Sequence, residues 1–112
     1  MESTRAIDAL GALAQETRLA VFRLLVAAGP DGMAAGDVAT ALNVAPGTLS
    51  FHLKELSRAD LVLSRRQGRQ IFYAADYAGM RALLTYLMHD CCGGRVELRG
   101  PLPETTAAEA GQ

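Results

Sequence analysis

Apolar side chains recur at helical spacing through the first half of this chain, change to an extended rhythm once, and then return to helical spacing. Ile7, Leu10, Leu13 and Ala14 predict a short first helix over residues 5–14. Leu19, Phe22, Leu25 and Val26 carry the rhythm through a second helix from Glu16 to Ala28, and Gly29-Pro30-Asp31-Gly32 breaks it. Asp37, Val38, Ala41 and Leu42 predict a third helix over 34–42 that ends near Asn43, a residue tolerant of left-handed backbone. Pro46 suits the first turn of a fourth helix, where a missing N–H costs nothing. Leu49, Leu53 and Leu56 form the buried stripe of that helix, with Thr48, Ser50, His52, Lys54 and Glu55 around its remaining surface. Two short helices joined by about three residues predict a helix-turn-helix.

The period changes after Ala59-Asp60. Leu61-Val62-Leu63-Ser64-Arg65-Arg66 and Gln70-Ile71-Phe72-Tyr73 predict two strands around a Gln67-Gly68-Arg69 turn, a β-hairpin. Helical spacing resumes from Asp76, the expected N-cap, with Tyr77, Met80, Leu83, Leu84, Leu87 and Met88. The expected class is mainly α with a β-hairpin, a winged helix-turn-helix. Its expected bounds are residues 1–94, with 95–112 as a disordered tail of small residues, acids and, from Gly100, two prolines.

Composition narrows the picture only a little. Half of the 112 residues are hydrophobic, enough for one small core that dimerisation would help to stabilise. No charged-then-apolar leader opens the chain and no apolar run approaches membrane-spanning length, so a cytoplasmic protein with no membrane partner is expected. The formal net charge of -1 carries no global signal for nucleic acid, so the local balance must decide.

Residues 46–70 hold five basic side chains (Lys54, Arg58, Arg65, Arg66, Arg69) against two acids (Glu55, Asp60), a local +3. In a helix-turn-helix the second helix enters the major groove, led by residues near its N-terminus. The candidate DNA-binding residues are therefore Gly47, Thr48, Ser50, Phe51 and His52, with Lys54 and Arg58 toward the backbone. His52 has helix packing as its other role. Arg65, Arg66 and Arg69 make the hairpin a wing suited to phosphates or the minor groove. For each cation, a solvated helix face or a guarded strand edge is the competing assignment. No Ser/His/Asp arrangement, phosphate loop or paired carboxylates point to an enzyme.

Cys91 and Cys92 are the chain's two cysteines, adjacent at the end of the last predicted helix and followed by Gly93-Gly94. Two neighbouring thiols make no secreted disulfide framework, but they can close around one soft ion, which oxygen-preferring cations would not match. Redox sensing is the rival use. It is weakened by the strained ring that adjacent cysteines form and by the negative dipole at a helix C-terminus. Burial as two inert small side chains is the third possibility.

Leu13-Ala14-Gln15-Glu16-Thr17-Arg18-Leu19, Leu49-Ser50-Phe51-His52-Leu53-Lys54-Glu55-Leu56 and Gly68-Arg69-Gln70-Ile71-Phe72-Tyr73 resemble the ArsR/SmtB family of metal- and metalloid-responsive repressors, over roughly residues 7–90. The resemblance implies a homodimer paired through its first and last helices, bound to a palindromic operator and released when an ion binds. A family thiol pair at the start of the third helix is missing here, where Met33-Ala34-Ala35-Gly36-Asp37 stands. Asp76, His89 and Asp90 do not reproduce the spacing of the family's zinc site on the last helix. What remains resembles the arsenical-responsive subgroup with vicinal cysteines after that helix. This implies trivalent arsenic or antimony, inorganic or methylated, as inducer at Cys91 and Cys92. Arg95-Val96-Glu97-Leu98-Arg99 supplies no third thiol, so a monosubstituted trivalent arsenical fits the donor count best. Zinc prefers four ligands, and Cys91, Cys92 and His89 offer three. A ligand-independent winged-helix dimer shares every feature except the cysteines.

Overall fold

The computed structural model describes residues 1–89, in the order α1 (Ser3–Leu13), α2 (Glu16–Ala28), β1 (Met33–Ala34), α3 (Ala35–Leu42), α4 (Pro46–Arg58), β2 (Val62–Gln67), β3 (Gln70–Ala75) and α5 (Tyr77–Met88). This is a winged helix-turn-helix: five helices and a small antiparallel sheet in the order β1-β3-β2. No helix among the described residues is long and apolar enough to cross a membrane.

The core gathers one stripe from each helix. Val21, Phe22 and Leu25 of α2 and Val38 of α3 meet Leu49, Leu53 and Leu56 of α4, and Leu61, Val62, Ala75 and Leu83 close the far side. The leucine stripe expected for α4 is therefore the one that packs. On α1, however, the core side is Ala6, Ala9 and Ala12, whereas Ile7 and Leu10 face outward. Alanines let that helix lie close against its neighbours, which leaves its larger apolar side chains on the surface.

Helix ends explain the sharp corners. Gln15 caps α2, its side-chain oxygen accepting from the Arg18 N–H at 2.8 Å. Asn43 takes the left-handed conformation (φ 54°) expected of it, and the Val44 N–H reaches back to Ala39 O at 3.0 Å. Such a six-to-one bond ends a helix and reverses the chain in a few residues. The same device closes α4, with Asp60 at φ 61° and Leu61 N–H on Leu56 O at 3.0 Å. The Asp76 carboxylate caps α5 by accepting from the Gly79 N–H at 3.0 Å.

Three departures concern the sheet. β1 was not expected; it pairs Met33 with Tyr73 and Ala34 with Phe72, turning the hairpin into a three-stranded sheet. β2 keeps its expected length but lies one position later, at Val62–Gln67, so the loop is only Gly68-Arg69 between paired Gln67 and Gln70, and β3 runs two residues further than expected, to Ala75. Gly68 has φ 65°, the positive value that a two-residue Gly-X hairpin loop demands.

Candidate nucleic-acid interface

Pro46 starts α4 at the position predicted for it, and Ala45 before it offers no side-chain acceptor to the first turn. Leu49, His52, Leu53 and Leu56 face inward, leaving Gly47, Thr48, Ser50, Phe51, Lys54 and Arg58 exposed on the outward side. Small and hydroxyl-bearing groups lead this face and cations follow it. That arrangement lets the helix backbone approach a groove before its charges reach the flanking phosphates.

His52 departs from the surface position expected for it. Its side chain is buried, the residue being only 8% exposed, and its Nδ1 lies 3.3 Å from a guanidinium nitrogen of Arg18. A guanidinium only donates, so Nδ1 is the accepting atom in this contact. Arg18 also donates its Nε–H to Ala12 O at 2.7 Å. The physical reason for the inward turn is helical phase: His52 falls beside Leu49 and Leu56, one position from Leu53, on the side that packs. Of the two roles open to His52, packing is the one its geometry serves. The part played by Arg18 is not evident in the sequence, because its partners lie six and 34 positions away.

The wing's cations divide in the same way. Arg65 donates to Asp31 O at 2.9 Å, and its guanidinium carbon lies 4.7 Å from the centroid of the Phe72 ring, its cross-strand neighbour. It braces the wing on the loop before β1 and holds its charge there. Arg66 and Arg69 are exposed and form no ion pair with a described residue, as does Lys54. Arg58 pairs with Glu55 at 2.9 Å, a well-exposed contact worth little in water. Lys54 and Arg58 on α4 and Arg66 and Arg69 toward the wing tip are therefore exposed cations on the two elements expected to meet DNA. Cys91 and Cys92, the expected ion ligands, lie outside the described residues, as do Asp90 and the expected tail.

The end of α4 is tied to the other helices at one corner. Asp60 forms an ion pair with Arg5 of α1. The Leu61 carbonyl accepts from the Asp76 N–H at 2.8 Å, and Gly79 of α5 sits directly against the Asp60 carbonyl. Tyr77 donates its hydroxyl to Val26 O of α2 at 3.1 Å.

A family model described as a helix-turn-helix domain matches residues 13–65. The transcriptional activator HlyU of Vibrio cholerae is 28% identical over 90 residues, spanning 80% of this chain and 81% of HlyU. A solved HlyU structure superposes with a TM-score of 0.64, covering 82% of this chain and 99% of that one, and HlyU has also been solved in a form described as reduced. An ArsR-like transcriptional regulator from Rhodococcus sp. RHA1 is 30% identical, with a TM-score of 0.66 over 75% of this chain and 76% of its own. A homodimeric winged helix-turn-helix DNA-binding domain from Mycobacterium bovis shares the fold at 24% identity and a TM-score of 0.64, covering 90% and 88% of the two chains. These relatives are regulators of transcription and not enzymes. With its helix-turn-helix, its wing and this likeness along most of its length, the chain belongs to the ArsR-like family of winged-helix transcriptional regulators.

Proposed function

We propose that this protein is a homodimeric repressor that binds operator DNA through α4 and the wing, and leaves it when a trivalent arsenical or antimonial binds Cys91 and Cys92. The observation that carries the DNA-binding part is the outward face of α4, small at its start and cationic beyond, set beside a wing with Arg66 and Arg69 exposed. Gly47, Thr48, Ser50 and Phe51 lead into the major groove; Lys54, Arg58, Arg66 and Arg69 meet phosphates. Arg65 acts by bracing the wing.

Dimerisation through α1 and α5 is supported by what those helices leave outside. Ile7 is 64% exposed and Leu10, one helical turn on, is exposed too; Tyr86 and Leu87 are exposed on α5, with Leu87 at 48%. These apolar side chains sit on two helices that pack together, and a second copy offering the same surface would cover them by a two-fold axis.

The cysteine pair follows α5 in sequence, and the start of α5 is fastened to the end of α4 through Asp60, Leu61, Asp76 and Gly79. Capture of an ion beyond α5 would alter how the two α5 helices meet, and the corner passes that change to the recognition helices. A tenfold loss of operator affinity needs only about 1.4 kcal/mol of such coupling. Two adjacent thiolates match a monosubstituted trivalent arsenical in donor number, and inorganic arsenite or antimonite needs a further ligand.

The test begins with operator sequences selected from random duplex DNA by the full-length protein. Arsenite, antimonite and a methylated trivalent arsenical are then titrated against the complex. The expected result is release at the lowest concentration by the methylated arsenical, abolished in a Cys91→Ser/Cys92→Ser double variant. A double variant that responds like the parent removes the ion site. Thiol oxidation is the second reading, favoured by the reduced form in which the related HlyU has been solved. Under it, diamide releases the DNA, dithiothreitol restores binding and the arsenicals act no differently from a general thiol blocker.

A further inference from the structure

Phe51 stands out on α4 for reasons of direction. The helix turns its buried side chains to one side, and at about 100° per residue the opposite direction belongs to Gly47, Phe51, Lys54 and Arg58. Gly47 places no side chain there, and a Cβ added to it would meet nothing within 4 Å. Phe51 is thus the first bulky group on the outward line of the recognition helix, and it is 55% exposed. A single exposed apolar residue needs no explanation by itself. The way this ring is held does.

The Phe51 ring meets the His52 imidazole edge to face, with centroids 5.5 Å apart and planes at 61°. His52 is buried and rests on Arg18, which in turn donates to the last turn of α1 at Ala12 O. An exposed phenyl ring therefore rests on a part-buried polar contact that runs across three helices. It is presented outward between a glycine that admits close approach and two cations suited to phosphates.

A phenyl ring neither donates nor accepts conventional hydrogen bonds, so it cannot read the donor and acceptor pattern of a base pair. In the major groove the apolar mark on an unmodified base edge is the 5-methyl group of thymine. We infer that Phe51 is a specificity-determining residue that packs on a thymine methyl in each half-site of the operator. The inference rests on the DNA-binding reading above and names what that face recognises.

The experiment uses the full-length protein and the duplex it selects from a random library. Each thymine of the selected site is replaced in turn by deoxyuridine, which removes the methyl and nothing else. At one position per half-site the parent protein should lose roughly fourfold in affinity, the worth of one buried methyl. Phe51→Ala should bind the thymine and deoxyuridine forms of that position equally and keep the parent's salt dependence, because its phosphate contacts are intact. Phe51→Leu should retain part of the preference. A selected site with no methyl-sensitive position, or a deoxyuridine penalty that persists unchanged in Phe51→Ala, overturns the assignment while leaving DNA binding in place. Failure to select any site overturns the DNA-binding reading itself, and this inference with it.

Discussion

Gly79 shows how a single hydrogen can hold the molecule's main corner together. It lies in the first turn of α5, gives its N–H to Asp76, and turns its open side to the Asp60 carbonyl. An alanine there would raise helix propensity by about 1 kcal/mol, but its Cβ would collide with that carbonyl oxygen, which is backbone and cannot swing away. Overpacking of this kind costs about 1–3 kcal/mol, and relief of it requires α5 to move off the α4–β2 corner. Gly79→Ala should therefore lower the unfolding free energy by about 2 kcal/mol in urea titrations. Gly36→Ala is the control, because nothing stands within 4 Å of its Cβ position. That variant should be as stable as the parent or more so, and equal losses in the two would show that the corner contact is not the cause. Gly32 makes a similar close approach, with its open side on the Tyr73 carbonyl and φ at 74°. Such positions are invisible in the sequence because the atom each glycine avoids lies on a distant segment. His52 taught the same lesson. A polar side chain there is expected at the surface; helical phase turns it inward beside Leu49 and Leu56, and Arg18, 34 positions away, supplies its polar partner.

Elements were legible where local chemistry sets their ends. Pro46 fixes the start of α4, Asn43 the end of α3, and Asp76 the cap of α5, each through its own backbone preference. β1 was not legible, since two residues carry no period and its partner in β3 lies about forty positions away. The outward turn of Ile7 and Leu10 was hidden for another reason: helical spacing reveals a stripe without saying what covers it, and here the alanine stripe is the one that packs. α4 retains one local weakness. Ala45 has the extended conformation of an N-cap (φ -62°, ψ 140°) but no side-chain acceptor. A serine at that position can accept from the N–H groups of the first turn without altering the backbone, a change worth about 0.5–2 kcal/mol. Ala45→Ser should raise the thermal midpoint by several degrees, with an unchanged circular dichroism spectrum. No gain in stability would mean that those N–H groups are already satisfied.

At the scale of the whole molecule, the described fold sets the proposed DNA-binding face on one set of elements and an uncovered apolar surface on another. α4 and the wing carry the exposed cations Lys54, Arg58, Arg66 and Arg69; α1 and α5 carry Ile7, Leu10, Tyr86 and Leu87. Under the proposed function, two half-sites on one duplex are held together only if two chains are, so affinity for a palindromic operator would depend on the second surface as much as on the first. An Ile7→Glu/Leu10→Glu double variant separates the two. Both side chains are outside the core in a single chain, so the variant should keep its helical spectrum and its cooperative unfolding. Placed across a two-fold axis, however, the new carboxylates would be buried beside their symmetry mates, which costs several kcal/mol. Sedimentation should then show a monomer, and operator affinity should fall by roughly 100-fold or more as the linkage between half-sites is lost. A variant that remains dimeric with full affinity would place the chain's self-association on a different face.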